Sequence, residues 1–264
     1  MCAKRSLGQH FLVSPRVADE IVAACRALAP GASALLEIGP GHGALTEGLL
    51  ALGLPLARVE KDDALAAELG RRFPGVRVAN ADARALDLAS LGTESEPGRW
   101  LVAGNLPYNA GTEIVRGFLG MAHRCVGLVF MLQLEVARKL TASPREEGYG
   151  ALAVPARAWW LPELLFPVPP GAFRPPPKVT SAVIRLRPLP TPLLEPGEFL
   201  SFSGFVRDCF AAPRKTLASN LARAAGGRAE AAALLERLDF PPAARPAETP
   251  PEAYVALFRA LTGR

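Results

Sequence analysis

Short apolar runs, each bounded by polar or helical segments, fill the first 140 residues of the chain. The runs that predict buried strands lie at 35–38, 54–59, 76–79, 100–104 and 126–132. Helices are predicted at about 62–72 and 133–141, and an earlier helix begins at Pro15 with Ser14 as its cap. This alternation predicts an α/β protein with a parallel sheet.

The pattern changes after residue 161. The segment 162–177 is rich in proline, which excludes a central strand or a long helix, and the alternation at 179–186 predicts an edge strand. Helical period then dominates, at about 196–210, 213–225, 229–238 and 251–261. We therefore expect two domains, an α/β domain at 1–187 and a small all-helical domain at 188–264. A polar loop is predicted at 92–98.

Composition narrows the class of protein. Of the 264 residues, 50% are hydrophobic, and the net charge of +5 with a pI near 9.3 fits a phosphate-rich partner. The four cysteines lie far apart without metal-ligand spacing, so we expect free thiols in a reducing cytoplasm and no metal site. No apolar run is long enough to cross a bilayer, and no signal peptide is predicted, so we expect no membrane association.

Three glycines follow the first predicted strand at alternating positions, Gly39, Gly41 and Gly43, and a helical pattern comes next. A turn of this kind lets a ligand approach the backbone and the helix N-terminus closely. Glu60 ends the second strand, 21 residues after Gly39, where a carboxylate suits a ribose diol. The glycine spacing differs from the Gly-x-Gly-x-x-Gly of dinucleotide-binding folds. Glu60 does not choose between NAD and S-adenosylmethionine, because both carry a free ribose diol.

Polar side chains end three successive strands of the predicted sheet: Glu60, Asp82 and Asn105. Because ligands bind at the carboxyl ends of parallel strands, we expect these groups and the glycine turn to form one crevice. The carboxylate of Asp82 could accept a hydrogen bond from an adenine amine. Its position is equally compatible with a role as a cap in a turn.

The segment Asn105-Leu106-Pro107-Tyr108 resembles the motif of methyltransferases that modify amines conjugated to a ring. Such an amine is a poor nucleophile because its lone pair is delocalised. An amide oxygen and a backbone carbonyl that accept its two N–H bonds favour a pyramidal nitrogen, while the tyrosine ring stacks on the base. This motif favours S-adenosylmethionine over NAD.

The chain resembles the ribosomal RNA adenine N6-dimethyltransferases, most closely those that act on the small subunit. The likeness runs almost end to end through Leu7–Leu12, Glu37–Thr46, Glu60–Asp62, Asn80–Ala83, Asn105–Asn109, Met131–Ala137, Tyr149–Val154, Phe173–Val183 and Phe210–Leu217. It implies a Rossmann-like class I methyltransferase sheet followed by a helical RNA-binding domain.

The resemblance also implies roles for particular residues. The cofactor S-adenosylmethionine would contact His10, Leu12, Gly39, Gly41, Glu60, Asp82 and Asn105. The target adenine would be held by Asn105, Leu106, Pro107 and Tyr108, with Phe173 against its other face. RNA would meet Lys4, Arg5, Lys178, Arg214, Lys215 and Arg223. The family usually has asparagine where this chain has His10, and the stretch around Arg214 also differs slightly from the usual double-basic one.

By the same resemblance, the substrate is a pair of adjacent adenines in the 3′-terminal hairpin of 16S rRNA, in the small subunit or its precursor. We expect a monomer, and loop bases of this kind are easily splayed into a pocket. Two alternatives stay open: an enzyme that methylates 23S rRNA and confers antibiotic resistance, and a non-catalytic RNA-binding assembly factor. The intact set Glu60, Asp82 and Asn105–Tyr108 argues against the loss of catalysis.

Overall fold

The computed structural model describes residues 9–86, 88–91 and 99–263. Lys4, Arg5 and the polar loop predicted at 92–98 lie outside the described residues. The chain divides into two units, one made of Met1–Ala137 with Glu163–Pro188 and the other of Arg138–Pro162 with Leu189–Arg264. This division differs from the predicted one because the segment 138–162 groups with the C-terminal helices.

The first unit is built on a seven-stranded sheet in the order β4-β3-β2-β5-β6-β9-β7. Its strands are β2 (Ala34–Ile38), β3 (Leu56–Glu60), β4 (Arg77–Asn80), β5 (Trp100–Asn105), β6 (Cys125–Gln133), β7 (Trp160–Val168, whose first three residues are grouped with the second unit) and β9 (Ser181–Pro188). The run from β4 to β6 is parallel, and β9 is antiparallel to β6. The expected α/β fold with a parallel sheet is confirmed.

Helices and a small ribbon complete the first unit. The helices are α1 (Pro15–Arg26), α2 (Thr46–Leu50), α3 (Asp63–Arg72), α4 (Gly111–Leu119) and α5 (Leu134–Thr141), which ends in the second unit. The ribbon pairs β1 (Phe11–Leu12) with β8 (Phe173–Arg174) in antiparallel register. Ser14 caps α1 as predicted, since its hydroxyl oxygen accepts from the amide of Val17 at 3.5 Å.

Two expectations about the end of this unit need correction. The segment 179–186, predicted as an edge strand, forms β9. This strand lies inside the sheet, between β6 and β7. The edge strand is β7. It is not predicted as a strand because it contains Pro162 and Pro167. An edge strand tolerates proline since one side of it needs no backbone donor.

The central strand β2 is buried over its whole length, and β5 is buried except at its last residue, Asn105, which explains their continuous apolar runs. Where β2 and β5 end side by side, a Cβ at Gly104 would lie 2.4 Å from the carbonyl oxygen of Ile38. Glycine is therefore required there by the close approach of the two backbones. Ile38 and Asn105, at this contact, line the cleft described below.

The second unit contains the helices α6 (Ala153–Trp159), α7 (Phe199–Cys209), α8 (Leu217–Ala225), α9 (Arg228–Arg237) and α10 (Pro251–Thr262). Trp159 packs edge-on against Phe199 and Phe202 of α7, and Phe202 packs against Phe258 of α10. This aromatic core explains why α6 belongs with the C-terminal helices. In the described part of the chain, no helix combines the length and the apolar character needed to span a membrane.

Candidate functional site

The carboxyl ends of the parallel strands meet at one edge of the sheet. In the ladder register, Ile38 pairs with Val59 and Gly104, and Glu60 pairs with Asn80. The glycine turn follows β2 directly, with φ of +62° at Gly39, +58° at Gly41 and +83° at Gly43. These left-handed conformations favour glycine and bring the backbone to the same edge.

A cleft of about 910 Å³, including its open mouth, lies over this edge. Its walls come from the chain around β1, from the ends of β2, β3 and β5, and from the turns after β4 and β5. The lining residues include His10, Phe11, Gly39, Gly41, Glu60, Lys61, Asp82, Arg84, Asn105, Leu106, Pro107 and Tyr108. The structure thus brings most of the predicted site residues together.

Glu60 is held firmly at the base of the cleft, with a relative exposure of 6%. Its Oε2 accepts from the amide of Gly41 at 3.1 Å, and its Oε1 accepts from the amide of Asp62 at 2.9 Å. Burial raises the pKa of this carboxyl, and the two backbone donors partly offset the shift. Each oxygen keeps a further lone pair, so the carboxylate fits a ribose diol, which donates two O–H groups.

Asp82 lies in the cleft as predicted, but its carboxylate is already engaged. It accepts from Lys61 Nζ at 3.0 Å, from Arg84 Nη2 at 2.6 Å and from the Arg84 amide at 3.0 Å. The hydrogen bonds from Arg84 hold the pKa of Asp82 well below its usual range. Asp82 can accept an adenine amine only beside, or in place of, these donors.

Asn105 and His10 connect the chain before β1 to the end of β5. The side-chain amide of Asn105 donates to the carbonyl of His10 at 3.0 Å. His10 Nδ1 lies 2.7 Å from the carbonyl oxygen of Pro175, and because a carbonyl only accepts, this nitrogen carries the proton. The side-chain oxygen of Asn105 accepts no hydrogen bond from the residues described, which leaves it for a ligand.

Tyr108 stands in the turn after β5 and is half-buried. Its hydroxyl is hydrogen-bonded to that of Ser181, and its ring centroid lies 5.1 Å from that of His10. Burial raises the pKa of the phenol. Sequence reasoning assigned no separate role to Ser181, Lys61 or Arg84. The contacts of Ser181 and Lys61 join residues that are far apart in the chain, and Arg84 folds back on Asp82 within one turn.

Phe173 does not reach the cleft. It pairs with Leu12 across the β1–β8 ribbon, its exposure is 0%, and it packs in a cluster that includes Met131 and Val183. In this structure its ring is part of the hydrophobic core rather than a wall for a base. Leu12 instead lines a second, smaller pocket of about 330 Å³ behind the glycine turn.

Glu37 lines this second pocket and is only 1% exposed. Thr46 donates to its Oε2 at 2.7 Å, while its Oε1 has no hydrogen-bond partner among the described residues. Burial raises the pKa of Glu37 to about 7, partly offset by Thr46 and by Arg58 on the neighbouring strand. An unpartnered carboxylate oxygen is a suitable acceptor for a cationic group of a ligand.

Glu37 predicts a pH-dependent stability in the ligand-free protein. Since its folded-state pKa lies near 7, above the ordinary value of 4.5, the native state retains a proton that the unfolded state releases in this window. Stability should fall by roughly 3 kcal/mol as the pH rises from about 4.5 to above 7. Urea unfolding of Glu37→Gln should show a stability advantage over wild type that is larger at pH 8 than at pH 5.

The control for this prediction is Glu47→Gln, which changes an exposed carboxylate paired with Arg72. It should behave alike at both pH values. A Glu37→Gln variant with the same advantage, or none, at pH 5 and pH 8 would contradict the raised pKa.

The expected RNA-binding residues occupy exposed positions where they are described. Lys178 lies in the first unit, and Arg214, Lys215 and Arg223 lie in the second. Within the described ranges, no group of three or more His, Cys, Asp or Glu side chains is arranged to hold a metal ion. Cys25, Cys125 and Cys209 are free and buried.

The chain matches the family model of ribosomal RNA adenine dimethylases over residues 2–259. It therefore belongs to this family, and the fold and cleft are those of an S-adenosylmethionine-dependent rRNA methyltransferase. Two similar proteins share the name ribosomal RNA small subunit methyltransferase A. The one from Paramagnetospirillum magneticum is 41% identical over 99% of this chain and 91% of its own, and that from Hahella chejuensis is 40% identical over 92% and 87%.

Two solved structures support the assignment of the fold. A dimethyladenosine transferase from Plasmodium falciparum has a TM-score of 0.76 at 23% identity and covers 96% of this chain and 98% of its own. The 23S rRNA methyltransferase ErmE has a TM-score of 0.68 at 28% identity, over 96% and 99%. The likeness in both cases extends over nearly the whole chain.

Proposed function

We propose that this protein transfers methyl groups from S-adenosylmethionine to the N6 amines of two adjacent adenines in the 3′-terminal hairpin of 16S rRNA. The observation that carries the proposal is the convergence of Glu60, Asn105 and Tyr108 with the glycine turn on one cleft. The names of the relatives that are about 40% identical favour the small subunit.

In this proposal, the glycine turn and Glu60 hold the nucleoside half of the cofactor, and Glu60 accepts from the ribose hydroxyls. Asp82 accepts from the adenine amine alongside Lys61 and Arg84. Glu37 in the second pocket suits the α-ammonium group. When bound, S-adenosylmethionine supplies an electrophilic methyl group on a sulfonium.

The residues after β5 prepare the target amine. Asn105 offers its side-chain oxygen to one N6–H bond. The carbonyl of Pro107 already accepts from the amides of Ala110 and Gly111, at 3.1 and 2.7 Å, whereas no described residue donates to the carbonyl of Leu106. We therefore assign the second N6–H bond to Leu106, and base stacking to the ring of Tyr108.

This arrangement needs no strong base in the site. Accepting both N–H bonds favours a pyramidal nitrogen and directs its lone pair away from the two acceptors, toward the methyl group. Once the nitrogen is alkylated its proton is acidic and leaves readily. The monomethylated amine retains one N–H bond, which one of these acceptors can take to orient the nitrogen for a second transfer.

The small subunit or its precursor in the cytoplasm is the proposed partner, and the protein acts as a monomer in this proposal. Lys178 in the first unit and Arg214, Lys215 and Arg223 in the second would neutralise backbone phosphates. Target bases in a hairpin loop can be splayed into the cleft at modest cost.

A second candidate function is methylation of 23S rRNA. It is favoured by the likeness to ErmE, which is 28% identical over 96% of this chain. The fold and cleft are compatible with methylation of either 16S or 23S rRNA. The two candidate functions therefore differ in which RNA binds at the site.

The experiment that separates these functions measures methyl transfer from labelled S-adenosylmethionine to small subunits lacking the modification. Large subunits and protein-free 16S rRNA are tested in parallel, and the products are mapped by nuclease digestion and mass spectrometry. We expect dimethyladenine in the small-subunit 3′ hairpin. Label in 23S rRNA alone would establish the second candidate, and no label despite tight RNA binding would identify a non-catalytic factor.

A further inference from the structure

Ser181 is a fully buried hydroxyl that touches the candidate site from outside the cleft. It begins β9, its exposure is 0%, and it pairs in register with Gln133 of β6. Its side chain forms a hydrogen bond with the hydroxyl of Tyr108. The sheet therefore fixes the position of this serine independently of the turn that carries Tyr108.

The backbone of Tyr108, unlike that of Ser181, is not part of a strand. It lies in the turn between β5 and α4, where no ladder fixes the direction of its side chain. Among the contacts of the ring are the hydroxyl bond to Ser181 and the packing of His10, whose ring centroid lies 5.1 Å away. His10 is in turn held by the Pro175 carbonyl and by the Asn105 amide. The hydroxyl bond is the contact that ties the far end of the ring to the sheet.

We propose that Ser181 is a positioning residue for methyl transfer, which sets the tilt of the Tyr108 ring against the target adenine through the Ser181–Tyr108 hydroxyl bond. This inference rests on the proposed function. A phenylalanine ring would offer the same stacking face without this anchor. The hydroxyl of Tyr108 therefore has a role separate from the ring's stacking surface.

The second methyl transfer should depend on this anchor more than the first. After one transfer the amine carries a methyl group and a single N–H bond, so one of the two orienting hydrogen bonds is lost. The stacked ring then contributes a larger share of the alignment between the nitrogen and the methyl donor. A ring that is free to tilt should let the monomethylated product accumulate.

A purely structural role for the bond makes a different prediction. Removing one partner leaves a buried hydroxyl unsatisfied and lowers stability, but the ratio of monomethylated to dimethylated product stays constant. The product ratio therefore separates positioning from stability.

The test compares Ser181→Ala, Tyr108→Phe and the double variant with wild type on the RNA that wild type methylates. We expect each single variant to lower kcat about tenfold and to raise the monomethyladenine fraction several-fold, with the Kd for S-adenosylmethionine within twofold of wild type. The double variant should match the single ones, because all three remove the same bond. Circular dichroism and Tm establish folding, and Tyr108→Phe removes the bond without altering the sheet if Ser181→Ala fails to fold.

The control is Ser33→Ala, which removes a hydroxyl that donates to the Arg99 carbonyl at 3.2 Å. It should leave kcat and product ratio unchanged. Additive losses in the double variant, or a lowered Tm with an unchanged product ratio, would overturn the inference. An inactive wild type would overturn the proposed function and this inference with it, whereas an active wild type with unaltered variants overturns this inference alone.

Discussion

Replacing Asn105 with alanine should lower single-turnover methyl transfer by about 100- to 1,000-fold while the protein stays folded. In the proposed mechanism the side-chain oxygen of Asn105 orients the N6 lone pair, and losing one such interaction in the transition state has an effect of this order. The lost hydrogen bond from Asn105 to the His10 carbonyl should cost only about 1 kcal/mol of stability.

The measurement combines single-turnover transfer with calorimetry. The Kd for S-adenosylmethionine should change by about tenfold or less, so the loss falls on the chemical step. Asn105→Asp serves as the matched variant, because it keeps an acceptor and loses the donor to His10. We expect it to retain more activity than Asn105→Ala.

Two outcomes would count against this role. Normal single turnover by Asn105→Ala would remove Asn105 from the alignment of the amine. Equal losses in both variants, together with weakened cofactor binding, would show that the donor to His10, and hence the chain before β1, is what matters.

The fold could be predicted where local pattern decides the structure. Ser14 with Pro15 marked the start of α1, and the apolar runs marked β2, β3 and β5, because strands buried on both faces leave an unbroken apolar signal. The order of β7 and β9 could not be predicted. Proline in β7 is compatible with an edge strand or a loop, and only the pairing of β9 with β6 resolves the choice.

The candidate site shows the same limit. Glu60, Asp82 and Asn105 are expected in one crevice because they end three successive strands of a parallel sheet, and they do line one cleft. Phe173 was expected beside them, yet a ribbon contact with Leu12 places it in the core. Arg84 donates a hydrogen bond to Asp82, and Ser181 is hydrogen-bonded to Tyr108. These bonds depend on side-chain geometry, which the spacing of motifs along the chain does not predict.

Replacing Glu60 with glutamine should weaken binding of S-adenosylmethionine by about 100-fold. The carboxylate of Glu60 accepts from the amides of Gly41 and Asp62 and, in the proposed complex, from two ribose hydroxyls. A glutamine of the same shape turns one acceptor oxygen into an NH₂ group, which faces a backbone N–H and cannot accept from it. Losing charge-assisted hydrogen bonds of this kind costs roughly 3 kcal/mol in total.

Calorimetry with S-adenosylmethionine measures the effect, and Glu47→Gln, at an exposed position of α2, provides the control with the same chemical change. The control should bind like wild type. Affinity of wild type should also fall as the pH is lowered through the raised pKa of Glu60, because protonation removes the acceptor, while Glu60→Gln should lack this component. Unchanged affinity in Glu60→Gln would contradict the ribose contact, because the carboxylate would then serve only to hold the glycine turn against β3.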